Sequence, residues 1–287
     1  MPTTHCDRPA PGTLTPGPVP DPADYDLGLA QISAGKDSQV ALDEAVRAFE
    51  RAGVPERLIV VHADLGDAEW DDARTLAAEH ARHYDRELHI VGRYRPDGQV
   101  ETILERVAER GMWPGPNLAR WCTSDHKTAP TAKLMTALVK ELRVTGKVTG
   151  RPARILNIMG MRAQESPGRA RKIPYRHDER ASNGRRHVDV WLPVHTWTVG
   201  QVWDGIKAAG TRPHWAYSEG MSRLSCTFCP LAAAADLRCA YRLNPAKGDR
   251  YLAVEERIGH RFQARRSLAD TLAGSAEKDD FEQLTLC

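Results

Sequence analysis

The sequence predicts an α/β fold: a doubly wound, mainly parallel five-stranded sheet with helices on both faces and a small cysteine-bearing C-terminal region. Three observations carry this. Apolar strand-like runs alternate with helical periodicities from Leu27 onward, small polar residues gather where the first strand meets the first helix, and Cys226, Cys229 and Cys239 all fall beyond Gly210. A chain of 287 residues can bury a core without disulfide staples.

The elements follow in order. Met1–Pro22 hold seven of the nineteen prolines and little that packs, which predicts a loose leader over residues 1–24. The α/β domain then spans residues 25–209. Leu27–Ile32 is the first strand, and Leu42, Ala45, Val46 and Phe49 repeat at helical spacing until Gly53. Leu58–His62 is the second strand, a helix runs from about Asp71 to Tyr84, and Glu87–Val91 is the third strand. A β-α-β-α-β order of this kind requires right-handed crossovers and a parallel sheet. A helix fits Thr131–Leu142, strands fit Arg154–Met159 and Val188–Leu192, and Thr198 caps a helix reaching Ala209. Residues 210–287 form the C-terminal region and tail.

Charge and cysteine content narrow the function. Forty basic residues against thirty-eight acidic ones leave a net charge of +2, so any nucleic-acid contact needs a local patch. No run of 18 apolar residues exists to span a membrane, and the N-terminus lacks a basic-then-apolar export pattern, which reads as cytoplasmic. Six cysteines in such a chain read as metal ligands or reactive thiols rather than a disulfide framework.

Ser33-Ala34-Gly35-Lys36-Asp37-Ser38 sits between a strand and a helix, where open α/β sheets bind ligands. Small residues allow close approach of phosphates to free helix N–H groups, and Lys36 adds a positive charge facing solvent-filled space. The P-loop pattern fails, because Ala30 and Asp37 replace the required Gly and Ser/Thr, and no Gly-x-Gly-x-x-Gly occurs. Asp37 either positions Mg2+ on phosphates or caps the helix. Asp64, ending the second strand, suits ribose hydroxyls, a metal or a turn.

Ser33–Ser38 resembles the pyrophosphatase-type loop of the adenine nucleotide alpha-hydrolase-like superfamily. Further segments resemble its phosphoadenylyl-sulfate (PAPS) reductase branch, which includes the DNA phosphorothioation sulfur-transfer enzyme. They are Arg120-Trp121-Cys122-Thr123 with Lys127 and Pro130, then Gly160-Met161-Arg162-Ala163-Gln164-Glu165-Ser166 with Arg169, then Pro193-Val194 with Trp197-Thr198, and finally Tyr217, Gly220, Arg223, Cys226 and Cys229-Pro230. The resemblance implies an ATP or adenylyl sulfate site built on Ser33, Gly35, Lys36, Asp37, Ser38, Asp64, Gly160 and Arg162. Lys36 and Mg2+ would hold the phosphates while Arg162 and Arg169 steady departing pyrophosphate.

Cys122, Cys226, Cys229 and Cys239 offer four thiolates, and a CxxC turn brings two sulfurs to one centre. A [4Fe–4S] cluster, structural zinc and unligated thiols are all open from spacing; the resemblance favours the cluster. The reductases carry a Cys-Cys pair in the first region, where this chain has Trp121 before Cys122. They also carry a sulfur-attacking cysteine in a Glu-Cys-Gly-x-His tail. Phe281–Cys287 lacks that Gly and His, which predicts poor reduction of adenylyl sulfates by Cys287, and Cys6 reads as incidental.

Between Arg162 and Arg186 stand eight basic and three acidic residues, read as a loop that closes over a nucleotide or tracks a nucleic-acid backbone. The implied activity is adenylation of a substrate with pyrophosphate release, then sulfur transfer, with a cysteine desulfurase or a dithiol as donor. The alternatives are reduction of an adenylyl sulfate to sulfite, and non-catalytic nucleotide or nucleic-acid binding. His62 and His195 read as core histidines.

Overall fold

The computed structural model describes residues 19–115 and 120–274. The leader and tail expectations, Cys6 and Cys287 among them, fall largely outside that range. Within the leader, Pro22–Asp24 forms a 3-10 turn with Pro22 buried.

The expected alternation of strand and helix is present. β1 (Leu27–Ile32), α1 (Lys36–Arg51), β2 (Leu58–Asp64), α2 (Ala73–His83) and β3 (Leu88–Gly92) come first. After α3 (Ile103–Arg110), the short α4 (Trp121–Thr123) runs through a π-helical turn at Ser124–Thr128 into α5 (Ala129–Val144). β4 (Ala153–Met159), α6 (Pro167–Ala170), β5 (Tyr175–His177), β6 (Arg186–Trp191) and α7 (Val199–Ala209) complete the α/β part. α8 (Ala234–Leu243), α9 (Pro245–Ile258) and α10 (Leu268–Ala273) follow.

The sheet has six strands in the order β3-β2-β1-β4-β6-β5. Five are parallel, as expected, and β5 is an added antiparallel edge paired only with β6. Three residues following a turn-rich segment leave no alternation long enough to read as a strand.

Period-2 alternation makes both faces apolar. Ala30, Ile32, Val60, Leu156 and Ile158 pack against Leu42, Val46 and Phe49 of α1. Leu27, Leu29, Ile59, Val61 and Ile155 meet Met135 and Val139 of α5 on the other face. Parallel strands covered on both sides need such near-continuous apolar runs. A third cluster joins Trp113, Trp121, Phe228, Tyr251, Phe262 and Leu268, so α3 and the C-terminal helices share one core. Cys122, Cys226 and Cys239 pack against that cluster.

The strand order sets where the site must lie. The chain moves outward from β1 through β2 to β3, then returns to place β4 on the other side of β1. The loops leaving β1 and β4 therefore diverge, opening a crevice at the carboxyl ends of these strands.

Candidate functional site

Two loops meet in that crevice. The first contains Ala34, a buried residue in the left-handed region at φ 57°. For a residue with a Cβ this costs about 1–2 kcal/mol. Ser38 holds the turn: its Oγ accepts from the Ser33 N–H at 3.1 Å and donates to the Gly35 carbonyl at 2.8 Å. Gly35 caps α1 without any side-chain hydrogen bond.

The second loop begins at Gly160, where close approach demands glycine. A Cβ there would lie 2.4 Å from the Asp37 carbonyl oxygen and from Ser38 N and Cα. The end of β4 thus rests directly on the first turn of α1.

A cavity of about 140 Å³ lies between them, lined by Ser33, Gly35, Asp37, Ser38, Glu69, Lys127, Gly160, Glu165, Arg169, Tyr217, Arg223 and Cys226, among others. A chamber of about 810 Å³ adjoins it and shares Ser33, Ser38, Glu69, Lys127, Gly160 and Arg169. Ile32, Met135, Met159 and Met161 give that chamber apolar walls, while Lys172, Arg176 and Arg180 add positive charge.

The carboxylates lining the small cavity all have partners. Asp37 is paired with Arg162. Glu165 is shared by Arg169 and Arg223, the latter at 3.2 Å. Glu69 pairs with His62 Nε2 at 3.1 Å, and His62 Nδ1 meets the Ile32 carbonyl at 3.1 Å. Lys127 forms no ion pair among the described residues. Burial pushes Arg169 below its usual range, and the neighbouring Arg223 charge pushes it further. Burial works against charge on His62 more than any single contact favours it, but the bond and charge of Glu69, the Ile32 carbonyl and Asp64 together hold the imidazole above its usual value. An anion between Lys127, Arg169 and Arg223 would relieve this crowding of positive charge.

Several expected residues sit differently from their sequence reading. Lys36 is buried at 3% exposure rather than facing solvent, and its Nζ donates to the Ser222 carbonyl at 2.8 Å, over the Tyr217 ring. Its backbone N–H donates to Tyr217 Oη at 2.9 Å. Arg162 is 4% exposed and turned to Asp37, and it does not line the cavity. Asp64 accepts from the Gly66 N–H at 2.9 Å and meets Arg74 at 3.3 Å, the turn reading of that residue. Ser33, Gly35, Asp37, Ser38, Gly160 and Arg169 do come together. Glu69 carried no signal in the sequence. Lys127 and Arg223 stood in motifs without a role.

Cys122, Cys226, Cys229 and Cys239 are free thiols. Burial raises Cys122 and Cys226 above the usual thiol value; Cys229 acts on both in the same direction, and Lys127 opposes it. These three cysteines therefore lie within electrostatic reach of one another beside the small cavity. Cys239 Sγ instead donates to the Glu219 carbonyl at 3.3 Å. Among the described residues, no three of these sulfurs lie within 4.8 Å of one another. A single zinc ion needs closer sulfurs, whereas the wider spread of a four-iron cube tolerates more distant ones.

The basic segment is not one open loop. It contains a 3-10 turn at Ala163–Glu165, α6 and β5. Arg186 is buried and donates to the Ala181 and Ala132 carbonyls and to Thr136 Oγ1. His195 is buried against the Arg169 carbonyl at 2.9 Å.

A switch-point cavity thus joins a strand-to-helix loop, clustered cations and a CxxC cysteine, the arrangement of a ligand-binding open α/β sheet. The chain belongs to the phosphoadenosine phosphosulfate reductase domain family, whose pattern matches residues 29–232. The family takes its name from an enzyme, phosphoadenosine phosphosulfate reductase. A PAPS reductase from Candida auris, solved as a phosphate complex, shares 18% identity at a TM-score of 0.43, covering 70% of this chain and 82% of that one. The FMN adenylyltransferase of Candida glabrata with FMN and an ATP analogue shares 14% at 0.42, covering 71% and 56%. The U34-tRNA thiolase NcsA of Methanococcus maripaludis, with its [4Fe–4S] cluster, shares 12% at 0.40, covering 82% and 72%. A search of curated proteins finds no match.

Proposed function

We propose that the protein binds ATP at the β1/β4 crevice, adenylates an acceptor with release of pyrophosphate, and prepares it for sulfur transfer. One observation carries this reading: Ser33, Gly35, Asp37 and Ser38, three cations and Cys226 line a single cavity. The small cavity suits phosphate groups, and the chamber beside it suits the nucleoside and the acceptor.

In this reading an acceptor oxygen attacks the α-phosphorus and pyrophosphate leaves. Lys127, Arg169 and Arg223 take up the negative charge that develops, with Ser33 and Ser38 hydroxyls beside them. Glu165 holds the two guanidiniums apart and oriented. Arg162 acts behind Asp37, fixing the carboxylate that would meet a nucleotide-borne Mg2+. Lys36 positions the loop through Ser222 and Tyr217. Hydrosulfide-level sulfur then displaces AMP without change of oxidation state; sulfur supplied as a desulfurase persulfide would also need two electrons from a dithiol to cleave its S–S bond.

The thiols fit an iron–sulfur cluster better than zinc: Cys122, Cys226 and Cys229 would hold it, and Cys239 would have to leave the Glu219 carbonyl to serve as a fourth ligand. When bound, the cluster supplies a place to hold and deliver sulfur next to the activated atom. Lys172, Arg176 and Arg180 make a nucleic acid a suitable acceptor, and a cysteine desulfurase or dithiol a suitable donor.

The test is a pair of anaerobic assays. ATP–pyrophosphate exchange is expected and should respond to nucleic acid in a salt-dependent way. Sulfite formation from adenylyl sulfate or its 3′-phosphorylated form with a dithiol, without exchange, would overturn the reading in favour of a reductase.

A further inference from the structure

A second constellation stands at the far edge of the sheet. His177 on β5 lies directly opposite Asp189 on β6 in the antiparallel register, and His187 precedes Asp189 by two residues on the same face. His177 Nδ1 and His187 Nε2 each lie 3.1 Å from Asp189 Oδ1, and the two rings stack with centroids 4.1 Å apart. All three ligand atoms lie within 4.8 Å of one another, the only such group of three or more among the described residues.

We propose that His177, His187 and Asp189 bind a borderline divalent cation of the Zn2+ or Co2+ type. Imidazole nitrogens with one carboxylate suit these ions, whereas Mg2+ and Ca2+ call for oxygen donors. The 3.1 Å contacts approach the roughly 3.3 Å between neighbours in a tetrahedral shell with bonds of about 2.05 Å. Asp189 is 5% exposed and its other oxygen, Oδ2, accepts from Tyr25 Oη at 2.8 Å. Tyr25 in turn meets Tyr175 Oη at 2.6 Å. This outer layer fixes the carboxylate and leaves Oδ1 for the two imidazoles and their ion, as second-layer partners do in metal sites.

The imidazoles are partly open, at 38% and 44% side-chain exposure, so an ion can enter from solvent. Three protein ligands leave a fourth position for water or an incoming group. His177 also lines the large chamber, which places the ion at the rim of the proposed nucleotide and acceptor site. The ion would pin β5, a three-residue edge strand, to β6.

The test titrates Co2+ into the full-length, tag-free chain under anaerobic conditions. One ion should bind with visible ligand-field bands and no sulfur-to-cobalt charge-transfer band, which separates it from any ion at the cysteines. His187→Gln and His177→Gln should each weaken that binding by roughly tenfold to a hundredfold, and His260→Gln should leave it unchanged. Zn2+ should raise the melting temperature of the wild type and not of His187→Gln. Equal binding in wild type and both histidine variants, or cobalt spectra showing sulfur ligands only, would overturn the proposal and leave a hydrogen-bonded cluster. Failure of the nucleotide assays would not touch it, since the cobalt spectrum and the zinc-dependent melting shift are read without nucleotide.

Discussion

Lys36 and Lys127 divide two jobs that the sequence assigned to one residue. Lys36 is buried with its ammonium on the Ser222 carbonyl, a partner 186 positions away that no local pattern reveals. Lys36→Ala should therefore cost about 1–3 kcal/mol by leaving that carbonyl unpaired. Lys127→Ala should leave urea unfolding nearly unchanged and weaken ATP binding instead. Equal stability of both variants in urea titrations would contradict this division. His62 gives a pH signature. Its folded pKa is raised by Glu69, so the pair stabilises fully below the unfolded value of about 6.5 and loses that stability as pH rises through the folded value. His62→Gln should flatten this decline in unfolding free energy. An unchanged slope would show that Glu69 does not hold a proton on His62.

At the level of elements, the contact between β4 and α1 decides whether the crevice exists. Gly160→Ala pushes a methyl into the backbone of Asp37 and Ser38, so it should cost about 1–3 kcal/mol and weaken nucleotide binding together. Gly184→Ala, where a Cβ meets nothing within 4 Å, should do neither. Unfolding and binding measured on both variants check this, and a harmless Gly160→Ala would mean that the loops do not touch as described. The parallel strands and their helices were legible because β1, β2 and β4 are buried on both faces and read as apolar runs. The C-terminal helices were not. α9 turns Lys247, Gly248 and Glu255 inward with Tyr251, and such a face has no apolar period. Lys247 Nζ donates to the Glu69 carbonyl at 2.6 Å, and Glu255 accepts the Leu268 N–H at 2.8 Å. Long-range polar satisfaction replaces periodicity there.

Over the whole molecule, the crevice between β1 and β4 is closed by segments far apart in sequence. Ser33, Gly35, Asp37 and Ser38 come from the β1–α1 junction, Lys127 from the π turn, Glu165 and Arg169 from the 3-10 turn and α6 after β4, and Tyr217, Arg223 and Cys226 from the C-terminal region. A π turn inserted where α4 runs into α5 is a frequent companion of functional sites. The motifs made most of these residues visible in the sequence, but not their division of labour, because Arg162 and Asp37 neutralise each other only once β4 and α1 are in contact. No helix among the described residues is long and apolar enough to cross a membrane. The central claim is that this cavity holds nucleotide phosphates. Calorimetric titration of a non-hydrolysable ATP analogue into wild type and Arg169→Met tests it most directly. Removing one charge-assisted contact worth about 1.5–3 kcal/mol should weaken binding by roughly tenfold or more, with urea stability little changed. Equal affinity in the two proteins would contradict the account.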